Sequence, residues 1–143
     1  MKKYLIISLI FLIAGLGDGG FYREFSKYYG MENHFSILGI SHGHFLVLGV
    51  IMVLIIGLVN AYIQPRGKSS CVGLTLYVIG VAGAGIMMFI RGIMEMMILT
   101  GDVILSPELD LTISIISGIC HIILTIGIIL LFIAWIKNCK KEK

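Results

Sequence analysis

Seven side chains in this sequence could do chemistry from positions that hydrocarbon should exclude: Asp18, His42, His44, Arg91, Glu95, Ser117 and His121 all stand within or beside long apolar runs. A charge inside a span costs on the order of 2.5–3.5 kcal/mol on insertion scales, so such residues usually face a bundle interior and carry function. Helical spacing tests whether they converge. Ser114, Ser117, His121 and Thr125 share one helical face, and Ala84, Met88, Arg91 and Glu95 share another. His44 continues into Leu48, Ile51 and Ile55, whereas His42 lies about 200° away around a regular helix. At most one of His42 and His44 can therefore meet a common ligand from that helix, and the spacing leaves open which.

Two imidazoles on different helices, an arginine nearby and aliphatic walls match a non-covalent b-type haem. The imidazoles ligate iron from opposite sides, the porphyrin packs against apolar side chains, and the propionates seek Arg or Lys. The expected axial ligands are His121 with His44 or His42, and Met88 is a minor axial candidate. Covalent c-type attachment is excluded, because Ser117 stands where C-x-x-C-H needs its first cysteine before Cys120-His121. A divalent zinc or copper ion held by three histidines and Glu95 is the rival, made harder by the divergent directions of His42 and His44. Two other classes stay in view: a quinone-linked or electron-transfer membrane cytochrome, and a divalent-metal or proton-coupled small transporter using Asp18, Glu95 and the histidines. No nucleophile and base arrangement appears, so hydrolase chemistry is not expected; a redox activity stays open.

The elements that must position these residues follow from composition. Of 143 residues 58% are hydrophobic and 13% charged, against roughly 45–50% and 25% in an ordinary soluble domain. A water-soluble enzyme is close to excluded. A span takes about 20 apolar residues, and the apolar runs predict a single all-α domain over 1–143, an integral membrane four-helix bundle running up-down-up-down. Its helices are expected at 4–22, 34–63, 72–99 and 111–136, with Pro65 and Pro107 in connectors. Lys2, Lys3, Arg66, Lys68, Lys137, Lys140, Lys141 and Lys143 flank one side, while Asp102, Glu108 and Asp110 fill the third connector. By the positive-inside rule both termini are cytoplasmic, and the polar residues gather in the outer half. The net charge of +3 is small and forms no basic stripe, which excludes a nucleic-acid partner.

The second helix must begin early if His44 is to reach the depth of His121. Asn33 is a good N-cap residue, and a start there brings the two level. Gly15 with Gly19, and Gly80 with Ala84, are small-residue pairs that let helices approach closely and could equally serve a homodimer through the Gly-rich faces. Arg91 and Glu95, four apart, are candidates to pair with each other, and Asp18 is a candidate counter-charge for Arg91 or Arg23.

The run Phe21-Tyr-Arg-Glu-Phe-Ser-Lys27, the His42-x-His44 followed by Leu48-Gly49, Arg91-Gly92, and Ser117-Gly118 before His121 occur in this order along nearly the whole chain. In these features the sequence resembles a family of small bacterial four-helix membrane proteins of unknown function, similar to the clostridial haem-sensing membrane protein. The resemblance implies haem binding through His42 or His44 with His121, and Arg91 and Arg23 near the propionates. It also implies a role in haem sequestration, haem detoxification and protection from oxidative stress at the bacterial cytoplasmic membrane, with haem and the lipid bilayer as partners. Cys120 stands where relatives are expected to carry glycine, narrowing the space beside His121.

Overall fold

The computed structural model describes residues 1–139, and all regular structure among them is helical. Four helices, α1 (Lys2–Tyr28), α2 (Ile37–Ile63), α3 (Ser69–Leu99) and α4 (Pro107–Asn138), are each long and apolar enough to cross a membrane. The architecture is that of a multi-pass membrane protein. At 1.5 Å per residue, helices of this length exceed the roughly 30 Å of a hydrocarbon core, so their end turns reach into the interface. Lys140, Lys141 and Lys143, used above as a basic flank, lie outside the described residues.

The helix ends differ from the expected ones for local reasons. α1 runs on through Phe21–Lys27, because Phe21, Phe25 and Tyr29 repeat at four-residue spacing and stack, with ring centroids 5.0 and 4.9 Å apart. It stops where Gly30 takes a φ of 65°, letting Gly30 N–H and Met31 N–H return to the carbonyls of Lys27 and Ser26. The second helix begins at Ile37, not 34: Ser36, rather than Asn33, is the N-cap and accepts from Gly39 N–H. α3 starts three residues before the expected 72. α4 starts at Pro107 itself, which occupies the first turn behind the Ser106 cap, where its missing N–H is harmless.

Within α2 the stretch Phe45–Ile51 is wound as a π-helix, immediately after His44. Gly49 lacks a side chain where the Phe11 ring presses in; a Cβ there would sit 2.4 Å from that ring. The Tyr77 hydroxyl donates to the Leu48 carbonyl (3.0 Å) and the Ser8 hydroxyl to that of Val50 (3.4 Å). Neighbouring helices thus supply donors to the loosened backbone, which hydrocarbon could not do.

α1 packs along α2, the N-terminal half of α2 packs on α3, and α3 lies tightly along α4. Small residues set these spacings. Gly80 faces the backbone of Leu124 and Gly127 that of Tyr77, whereas Gly15 and Gly19 accommodate Leu46 and His42 of α2. Both small-residue faces are therefore occupied within one copy. A core of Phe11, Phe45, Val53, Ile56, Tyr77, Val81 and Leu131 fills the middle. At one end Asn60 ties all four helices: its amide donates to Tyr4 Oη (2.7 Å), and its carbonyl accepts from Trp135 Nε1 (2.8 Å) and Ser70 Oγ (3.1 Å).

Candidate functional site

At the other end of the bundle α2 and α4 separate, and two imidazoles meet between them. The rings of His44 and His121 have centroids 6.1 Å apart with planes crossing at 66°. His44 is the last residue before the π-helical stretch, so the extra winding below it sets the direction of its ring relative to the Asn60 half of α2. Its Nε2 is buried and has no hydrogen-bond partner among the described residues. The His121 Nδ1 lies 2.8 Å from the Ser117 carbonyl one turn earlier on α4. A carbonyl only accepts, so Nδ1 carries the proton and Nε2 keeps its lone pair, the tautomer that a metal-binding imidazole uses. Ser117 serves His121 through its backbone. A Cβ at Gly43 or Gly118 would meet no neighbouring atom within 4 Å, so the helix surface is open at both glycines.

His42 points elsewhere. It packs over Gly19 of α1, where a Cβ would be 3.6 Å from its ring, and its Nδ1 is buried without a partner among the described residues. Only His44 of the pair is beside His121.

Arg91 does not pair with Glu95. Its guanidinium donates to Ser114 Oγ (2.9 Å) and Asp110 Oδ1 (3.2 Å) of α4. Ser114 is seven residues from His121 on the same face, so Arg91 is fixed about 10 Å along α4 from that imidazole. Glu95 Oε2 instead accepts from the Ile37 backbone N–H (2.9 Å), capping α2 from a different helix. The carboxylate meets an orphan donor at the positive end of the helix dipole. Nothing in the local sequence of either helix announces that contact. Between these groups a cavity of about 350 Å³ is lined by Ile37, Arg91, Met94, Glu95, Asp110 and Ile113, among others.

The other candidates fall outside this cluster. Arg23 is exposed, its Nε 3.8 Å from Glu24, so it is neither with the histidines nor paired to Asp18. Asp18 forms no ion pair with Arg91 either; its Oδ2 accepts from Ser41 Oγ (2.6 Å). Met88 is half-buried on α3, one turn before Arg91. Among the described residues no three His, Cys, Asp or Glu side chains gather as a metal site. The zinc or copper arrangement of three histidines with Glu95 is thus not assembled, because His42 turns to α1 and Glu95 to the start of α2.

Residues 1–138 match the family model described as "Protein of unknown function (DUF2871)". No curated protein and no solved structure matches the chain.

Proposed function

The chain belongs to the DUF2871 family, and we propose that it is a membrane haem-binding protein in which His44 and His121 hold a b-type haem, sequestering it and limiting haem and oxidant toxicity. One observation carries the reading: two imidazoles from separate helices face each other 6.1 Å apart, one with an unpartnered buried Nε2, the other with its Nδ1 engaged by a carbonyl. Metal–imidazole bonds are about 2 Å long, so the centroids of two rings on opposite sides of one ion stand roughly 6 Å apart. The donor set and the ring spacing fit an iron held between the two imidazoles.

The chain's own residues divide the work. His121 is held in one tautomer by Ser117, His44 is aimed by the π-helical stretch, and Arg91, steadied by Asp110 and Ser114, supplies positive charge to carboxylate substituents. Bound haem would supply one-electron iron chemistry. Aliphatic walls from α2 and α4 would keep water from it.

The reading includes an orientation. Lys2, Lys3, Arg66 and Lys68 belong to the Asn60 end and Asp102, Glu108 and Asp110 to the Arg91 end, which by the positive-inside rule puts an up-down-up-down bundle in the bacterial cytoplasmic membrane with both termini inside. The haem then lies in the outer half.

Protein purified from cells grown with ample haem is expected to carry a Soret band. His44→Ala and His121→Ala should each weaken haem affinity by about 100-fold or more, with the far-ultraviolet circular dichroism of a folded helical protein. A colourless wild-type preparation, or full haem retention in both variants, overturns the proposal.

A further inference from the structure

A second feature lies away from the histidine pair, where α1, α2 and α3 meet. A groove of about 320 Å³ is lined there by Gly17, Asp18, Phe21, Phe45 and Phe89, with aliphatic side chains completing it. Asp18 is only 6% exposed. Its Oδ1 is buried with no hydrogen-bond partner among the described residues. Ser41 has one hydroxyl proton for two acceptors, Asp18 Oδ2 at 2.6 Å and the Leu38 carbonyl at 2.8 Å. In either case Oδ1 is an acceptor without a donor.

No Lys or Arg among the described residues makes an ion pair with Asp18; His42, seated over Gly19, is the basic group facing this part of α1. A carboxylate in an apolar wall is stabilised by a cation that brings its own N–H donors. The flanking rings favour the same chemistry. Phe21 and Phe89 stand 5.1 Å apart, tilted by 50°, and aromatic faces attract cations and stack with aryl groups. We propose that the Asp18 groove binds a lipophilic ammonium: an N–H-bearing cation on Asp18, with an apolar or aromatic body along Phe21, Phe45 and Phe89. Gly17 forms the open rim, since a Cβ there would meet nothing within 4 Å. The site is independent of the haem reading.

The test uses the full chain in nanodiscs and equilibrium dialysis with radiolabelled phenylbutylamine at neutral pH, subtracting partition into empty discs. Saturable binding to wild type is expected. Asp18→Asn, which removes the charge and keeps a partner for Ser41, and Gly17→Leu, which fills the groove from open space, should each weaken it about tenfold or more. The neutral isostere phenylbutanol should bind weakly by a similar factor. Gly17→Leu guards against a folding defect in the Asp18 variant, because its new side chain displaces no packed neighbour. Absent saturation, equal binding of the alcohol, or undiminished amine binding to a folded Asp18→Asn protein would each overturn the proposal.

Discussion

His42 and His44 are separated by one residue yet do different things, and the difference is rotational. Successive helical residues turn by about 100°, so one ring lies against Gly19 of α1 while the other reaches α4. The haem proposal therefore makes an asymmetric prediction. His42→Ala should change haem affinity less than about threefold, whereas His44→Ala should abolish tight binding, both read by haem titration and the Soret band of the purified proteins. Equal loss in the two variants would place an axial ligand on the wrong residue. That divergence, and the shared face of Ser114, Ser117 and His121, were legible in the sequence because they depend only on the helical repeat. The partners of Arg91 and Glu95 were not. Their spacing on α3 suits a mutual pair, but Asp110, Ser114 and the Ile37 N–H offer better geometry from other helices, and tertiary partners leave no local signature.

Element boundaries tell the same story at larger scale. The four apolar runs announce four long helices, because a backbone in lipid must satisfy its own hydrogen bonds. Where a helix begins is decided by whichever cap is reinforced. Ser36 prevails over Asn33 with Glu95 positioned to take the next free N–H. The π-helical stretch was illegible: Phe45 to Ile51 reads as an ordinary apolar segment, and its winding depends on Phe11, Ser8 and Tyr77 from two other helices. Deleting Val47 should let this stretch revert to α-helical winding while His44 keeps its direction relative to the Asn60 half, because the π-helical stretch absorbs about one residue more than the α-helical winding that replaces it. The expected result is a folded protein, by circular dichroism, that keeps its Soret band; a lost haem spectrum would show that the π-helical winding itself is needed to aim His44. Glycines give a second element-scale prediction. A Cβ on Gly127 would lie 2.4 Å from the Tyr77 backbone nitrogen, while one on Gly20 meets nothing within 4 Å. Gly127→Ala should therefore destabilise by about 1–3 kcal/mol through forced helix separation, and Gly20→Ala should be neutral or stabilising by up to about 1 kcal/mol. Denaturant titrations of both variants in micelles distinguish the two sites.

Considered whole, the molecule is closed at one end and parted at the other. Asn60 gathers Tyr4, Ser70 and Trp135 from the three other helices, and buried interhelical bonds of this kind contribute on average about 0.6 kcal/mol each in a membrane. Towards the other end α2 and α4 no longer approach closely, and the exposed edge of His121 opens sideways. A planar apolar ligand could enter there from the bilayer without unfolding a helix. Which leaflet it would come from depends on orientation, and charge decides that: Arg66 and Lys68 lie in the connector at the Asn60 end, the acidic residues at the opposite one. Two single-cysteine proteins test it, each with the other cysteines replaced by serine. One keeps Cys71, which is exposed near the Asn60 end; the other carries Ile104→Cys in the third connector, at a position 96% exposed. A membrane-impermeant maleimide applied to intact cells should label the Ile104→Cys protein at once and the Cys71 protein only after the membrane is opened. The reverse pattern would turn the bundle over, and the histidine pair would then serve the cytoplasmic leaflet.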